Sequence, residues 1–133
     1  VSNARFIRNV KVSERHGAGE WKAERATSLI LIPLALWGFW SAWTVSGSGY
    51  AGATEWFRSP VNAVVLAITL LISIWHMWMG LKVVVDDYIH KPSSRTALLG
   101  LIGVLCLALA VAGVFFLVRL ALGSAPLPAG LGA

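Results

Sequence analysis

Charge is what this sequence has least of. Asp, Glu, Lys and Arg make up 13% of the chain, against roughly 25% in soluble domains. That shortage excludes an ordinary water-facing surface. Cysteine is scarcer still. Cys106 stands alone, which excludes an intrachain disulfide and any cysteine-based metal cluster. Within its apolar run it reads as a small buried hydrophobe. Imidazole is limited to His16, His76 and His90. What is plentiful is apolar: 57% of the 133 residues are hydrophobic, and the mean hydropathy is +0.73. Such a composition needs an apolar solvent over most of its surface, and a lipid bilayer is that solvent.

The formal net charge is +5. Six of the eleven Lys and Arg, namely Arg5, Arg8, Lys11, Arg15, Lys22 and Arg25, crowd into the first 25 residues. Beside an apolar run, such a cluster reads as an orientation signal or a contact with anionic lipid, not as a nucleic-acid footprint. Three uncharged runs follow: SLILIPLALWGFWSAWTV (28–45), VNAVVLAITLLISIWHMWMGL (61–81) and ALLGLIGVLCLALAVAGVFFLV (97–118). Each is near the roughly 20 residues that span a hydrocarbon core. In lipid an open chain satisfies its backbone only as a helix.

The expected fold is therefore all-α: an integral membrane protein with three transmembrane helices at about 26–47, 60–88 and 96–121. A basic segment, 1–25, precedes this membrane unit (26–122), and a Gly/Pro-rich irregular tail, 123–133, follows it. The first run also admits reading as a cleaved signal peptide ending near Ala51-Gly52-Ala53, but both the run and its leader are long for that role. The 82–96 connection carries Lys82, Lys91 and Arg95, whereas the 46–60 connection carries only Arg58. The positive-inside rule then puts the N-terminus and the 82–96 connection in the cytoplasm, and the 46–60 connection and C-terminus in the periplasm. Of the seven tryptophans, Trp21, Trp43 and Trp56 fall near expected interfaces. Trp75 and Trp78 flank a histidine in the second run.

That histidine, His76, is the only ionisable residue well inside any run. Such a residue in lipid is a functional hypothesis by default. Helical spacing aligns it with Asn62, Thr69, Ser73, Gly80 and Asp87, a small or polar stripe on an otherwise apolar helix. The stripe is expected to face protein or cofactor. A neutral imidazole buried in a bundle can ligate haem iron, and Gly80 would let a flat macrocycle approach the backbone. A hydrogen bond across a helix interface is the plainer account of it on these grounds. One chain supplies one such histidine, so a six-coordinate bis-histidine iron requires a partner. Asp87 lies eleven residues on, about 16 Å along the helix at 1.5 Å per residue. Tyr88 beside it can donate to a carbonyl oxygen, and Asp87 can orient it or relay protons. Those groups suit a quinone head; they also suit an ordinary helix end at the membrane surface.

The segment HMWMGLKVVVDDYIHKP (76–92) resembles the second helix of the hydrophobic, D-type membrane-anchor subunit of succinate dehydrogenase. His76, Gly80, Asp87 and Tyr88 match that family's histidine, glycine and Asp-Tyr pattern, followed by Lys91-Pro92. Trp21-Lys22-Ala23-Glu24-Arg25-Ala26-Thr27-Ser28 is similar to its aromatic-x-x-x-Arg-Ala-Thr lead-in to the first helix. The likeness covers roughly residues 17–120. The long basic leader departs from it, and Asp86 doubles the acid before Tyr88. The resemblance implies a subunit of respiratory complex II in the bacterial cytoplasmic membrane. It implies a C-type cytochrome b anchor subunit as partner, with haem b shared between the two and His76 as one axial iron ligand. It implies ubiquinone held by Tyr88 and Asp87, with Arg25 near the haem propionates or the quinone entrance. An iron–sulfur subunit and a flavoprotein subunit would complete the enzyme. The anchor of a fumarate reductase and a cofactor-free structural or assembly subunit are the alternatives.

Overall fold

The computed structural model describes the backbone of residues 2–123 and the side chains of residues 17–123. The expected irregular tail beyond residue 123, and the side chains of Arg5, Arg8, Lys11 and Arg15, lie outside the described residues. Four helices follow in order: α1 (Ser2–Ser46), α2 (Gly49–Arg58), α3 (Pro60–Tyr88) and α4 (Pro92–Ala121). No strand occurs among the described residues. Among the described residues, three stretches are long and apolar enough to cross a bilayer: Gly17–Ser46, Pro60–Tyr88 and Pro92–Ala121. The chain is an all-α, multi-pass membrane protein. Helices of this length run to roughly 45 Å at 1.5 Å per residue, well beyond a hydrocarbon core of about 30 Å. Their ends therefore pass into the headgroup layers.

Local chemistry sets the helix ends. Gly49 takes φ +70° where α1 gives way to α2, a backbone state that glycine enters without steric cost. Ser59 is extended, and Pro60 opens α3; Lys91 is extended, and Pro92 opens α4. Proline suits the first helical turn because its missing N–H would be unpaired there in any case. Gly123, at φ +62°, follows the last turn of α4.

Two features differ from the apolar-run expectation. The first helix, expected from about residue 26, continues upstream through the charged segment to Ser2. Nothing between breaks it: the segment has no proline, and Ala, Glu, Lys and Arg are good helix formers. Glu20 on this extension pairs with Lys82 of α3, which ties the extension to the bundle. The 46–60 stretch, expected as a plain connection, contains α2. Its Gly52, Ala53, Trp56 and Phe57 are half-buried, whereas Tyr50, Ala51, Glu55 and Arg58 are exposed. That spacing is one helical face. Trp56 packs against Trp37 with ring centroids 5.8 Å apart, and Asn62 Nδ2 donates to the Trp56 carbonyl at 3.1 Å.

α3 is the central helix. It packs on α1 along one side and on α4 along the other; among the described residues α1 and α4 do not touch, and α2 caps all three. Toward α4, the indole of Trp78 lies over Gly103, where a Cβ would sit 3.5 Å from the ring, and Leu70 fills the space beside Gly113. Small residues let membrane helices approach closely. Met79, Val85 and Cys106 are the only buried apolar side chains among the described residues. Phe39, Trp40 and Trp43 stand more than 70% exposed. A core this small could not offset the entropy of ordering the chain in water; an apolar surrounding such as acyl chains must cover the rest.

Candidate functional site

The site grows from one contact between α1 and α3. Thr27 is 3% exposed, and its Oγ1 lies 2.8 Å from Nδ1 of His76. The same hydroxyl sits 2.8 Å from the Ala23 carbonyl oxygen and 3.0 Å from that of Glu24. Back-bonding to the preceding turn is the usual habit of threonine in a helix. It fixes the hydroxyl, and the hydroxyl in turn fixes the ring of His76. The other ring nitrogen, Nε2, has no hydrogen-bond partner among the described residues. No partnerless polar side-chain atom is buried among them, so Nε2 reaches open space.

Beside the ring, an open groove of about 270 Å³ is lined by Glu24, Arg25, Ser28, His76, Gly80 and Val83. α1 and α3 supply all of these residues, and α4 supplies none. A Cβ on Gly80 would meet nothing within 4 Å, so the glycine leaves the groove wall bare at that level. Arg25 has its guanidinium carbon 5.0 Å from the centroid of the Trp21 ring, one turn back on α1. That arrangement is a cation–π contact and holds the cation at the groove. Ser28 lines the groove but donates its hydroxyl to the Glu24 carbonyl at 2.6 Å.

A second groove, of about 240 Å³, opens on the other flank of the same seam. Its walls include Ala23, Trp75, Trp78, Met79, Lys82 and Asp86. The two aromatics flanking His76 in sequence therefore belong to this second groove and not to the first.

The expected stripe on α3 divides. His76 and Asn62 are engaged with α1 and α2, and Thr69 donates to its own helix at the Val65 carbonyl. Ser73, Gly80 and Asp87 are exposed. At the helix end, Asp86 accepts a hydrogen bond from Arg95 Nε at 2.6 Å, which joins α3 to α4. Asp87 forms no salt bridge among the described residues. Tyr88 is 78% exposed and lines neither groove. It stands twelve residues from His76, about 18 Å along the helix. The structure thus brings Arg25, His76 and Gly80 together, and keeps Asp87 and Tyr88 as a separate pair.

Sequence reasoning missed Thr27 as an individual. It stood inside the Arg-Ala-Thr motif, 49 residues from the histidine it bonds, and helical periodicity carries no signal between two helices. Three or more His, Cys, Asp or Glu gathered to hold a metal ion do not occur among the described residues. The donor set nevertheless suits a haem in one respect: a single free imidazole nitrogen beside an open, partly apolar groove with one cation at its rim. A macrocycle already supplies four equatorial nitrogens and needs only axial donors.

The family model described as succinate dehydrogenase/fumarate reductase transmembrane subunit matches residues 5–116. Among curated proteins, the succinate dehydrogenase hydrophobic membrane anchor subunit of Rickettsia typhi is 30% identical over 100 residues, 75% of this chain and 80% of that one. The protein of the same name from Rickettsia conorii is 30% identical over 101 residues, again 75% and 80%. The succinate dehydrogenase membrane anchor subunit of Reclinomonas americana is 24% identical over 99 residues, 72% and 82%. No solved structure matches the chain.

Proposed function

Because the chain belongs to the succinate dehydrogenase/fumarate reductase transmembrane subunit family, we propose that it is the hydrophobic anchor of a succinate:quinone oxidoreductase, respiratory complex II. In this reading it performs no carbon chemistry. It holds a flavoprotein and an iron–sulfur subunit at a bacterial cytoplasmic membrane, with the N-terminus and the α3–α4 connection on the cytoplasmic side. It pairs with a C-type anchor subunit.

The observation that carries the reading is the free Nε2 of His76 beside the α1–α3 groove. His76 would help hold haem b through a ring nitrogen, and the partner would supply the other protein ligand. Bound there, haem supplies a one-electron reservoir. Gly80 keeps the wall next to the ring clear, and Arg25 provides the positive charge that propionate carboxylates pair with. The C-type partner would close the groove from outside, since no residue of α4 reaches it.

Tyr88 and Asp87 would serve ubiquinone at the cytoplasmic surface. The Tyr88 hydroxyl donates to a quinone carbonyl oxygen. Its hydrogen bond strengthens as that oxygen gains negative charge, which is electrostatic stabilisation of the kind that lowers barriers most. Asp87 passes protons from water toward that oxygen. Tyr88 becomes screened from water only when the iron–sulfur subunit covers the helix end.

The test is the visible spectrum and turnover of the purified complex. A b-type absorption that disappears in His76→Ala supports the reading. Co-purification of a flavoprotein and an iron–sulfur protein supports the anchor role independently of haem. A second reading, a cofactor-free structural subunit, draws on the same Thr27–His76 bond, because a histidine bonded across helices needs no metal to explain it. A complex without haem absorption would select it. The anchor of a fumarate reductase would share this fold and site, and is separated by the quinone it uses and the direction of net turnover.

A further inference from the structure

We propose that Thr27 is a positioning residue that fixes the tautomer of His76, holding the proton on Nδ1 and leaving the Nε2 lone pair toward the groove. The inference rests on the reading of His76 as a haem ligand and adds a residue, and a specific atom, to it.

The argument is one of counting hydrogens. The Thr27 hydroxyl has one hydrogen and two lone pairs. Three polar atoms surround it: the Ala23 and Glu24 carbonyl oxygens, at 2.8 and 3.0 Å, and His76 Nδ1 at 2.8 Å. The carbonyls are pure acceptors. If the hydroxyl donates to them, it can meet Nδ1 only as an acceptor, so Nδ1 must carry the proton. If the hydroxyl instead donated to Nδ1, its oxygen would face a carbonyl oxygen at 2.8 Å with no hydrogen between them. In the first arrangement the single hydrogen is shared between the two carbonyls and Nδ1–H donates to the oxygen; the second leaves the oxygen against both carbonyls with no hydrogen between them. Burial strengthens the choice, because Thr27 is 3% exposed and water does not compete for its hydroxyl. Ser28, the neighbouring hydroxyl, is already committed to the Glu24 carbonyl. The proton chain is therefore His76 Nδ1–H to Thr27 Oγ1, and Thr27 O–H to the backbone of α1.

This arrangement has consequences for an iron on Nε2. A ligand imidazole that donates its other N–H is held in orientation and made more basic, and removing such a partner typically weakens metal binding by about 10–100-fold. A more basic imidazole favours ferric over ferrous iron, so loss of the acceptor should raise the haem midpoint potential. The bond also reaches between helices, so rotation of α1 against α3 would move the ligand.

The experiment uses the whole purified complex carrying Thr27→Val, Thr27→Ser or His76→Ala. Valine keeps the branched shape and loses the hydroxyl; serine keeps the hydroxyl. The readouts are the haem-to-flavin ratio, the low-spin EPR g-values and the haem midpoint potential. Thr27→Val should hold haem about tenfold more weakly, with altered g-values and a raised potential, and Thr27→Ser should restore all three. Should the valine variant fail to assemble, Thr27→Ala removes the same hydroxyl with less bulk and carries the same expectation. If the valine or alanine variant keeps the parent g-values and potential while His76→Ala loses haem, Thr27 has no positioning role and the ligand assignment stands. If His76→Ala keeps its haem spectrum, the ligand reading itself falls and this inference falls with it.

Discussion

α3 has two seams, and they are built on different principles. Toward α4 the contact is shape alone over most of its length: Trp78 lies over Gly103 and Leu70 beside Gly113, and a side-chain hydrogen bond joins the pair only at the turn, between Arg95 and Asp86. Toward α1 the contact is polar and incomplete. Thr27 bonds His76, Glu20 pairs with Lys82, and grooves open on both flanks. Hydrogen bonds between membrane helices contribute only about 0.6 kcal/mol each on average, so the polar seam is a weak way to hold two helices together. It is a good way to orient an imidazole. The filled seam serves stability; in the proposed reading the open one serves the haem.

The hardest test of that division is His76→Ala. It should abolish haem binding to the complex, read as loss of the b-type absorption at unchanged flavin content, while α3 and α4 stay packed. Haem retained at parent level would mean that the open seam holds no ligand. Tyr88→Phe comes next. It should slow quinone reduction by about a hundredfold, the scale of removing one donor aimed at a developing oxyanion, and leave succinate oxidation by an artificial acceptor intact. A parallel fall in both activities would show that Tyr88 supports the fold or the subunit contact instead.

The filled seam is probed by Gly113→Leu. Leu70 already occupies the space a side chain there would need, and overpacking of this kind costs typically 1–3 kcal/mol. Thermal stability of the purified complex should fall while the haem spectrum and midpoint potential stay put. A spectral change as large as the stability change would erase the distinction between the seams.

How much of this was readable in the sequence follows from the range of the interactions. The three spans are one-dimensional: uninterrupted apolar runs of membrane length leave little else for the chain to do. His76 was visible for a related reason, because an ionisable residue in such a run stands out without any knowledge of its neighbours. α2 was not visible. Its ten residues are too few, and too mixed in Gly, Ala and Thr, for hydrophobic periodicity to separate helix from turn, and it depends on Trp56 finding Trp37. The upstream part of α1 was hidden because charge before a span reads as a tail, although Glu20 and Lys82 engage it. Thr27 was hidden most completely. A threonine beside Ser28 at a helix start has many uses, and only the folding of α1 onto α3 selects one. The same limit applied to the acidic pair at the end of α3, where spacing alone favoured Asp87 and three-dimensional contacts add a reason.

That pair gives the smallest and most discriminating comparison. Adjacent residues on a helix point about 100° apart, so Asp86 and Asp87 cannot share a role. Asp86 turns toward α4, accepts from Arg95 and lines the groove that holds Trp75 and Trp78. Asp87 sits eleven residues from His76, close to three full turns and so nearly on the histidine's face, with no ion pair among the described residues. A carboxylate already bound to a guanidinium is a poor proton carrier, because taking up a proton would sacrifice the pair; Asp87 has no such pair to lose among the described residues. Asp87→Asn should therefore slow quinone reduction by about tenfold, less than a full acid–base contribution because water reaches the exposed site and can substitute in part. Asp86→Asn should leave that rate within about twofold, because acid–base catalysis does not pass through it. The rates are measured side by side on complexes of matched haem and flavin content. The reverse order would move the proton path from the His76 face of α3 to the α4 face, and with it the quinone.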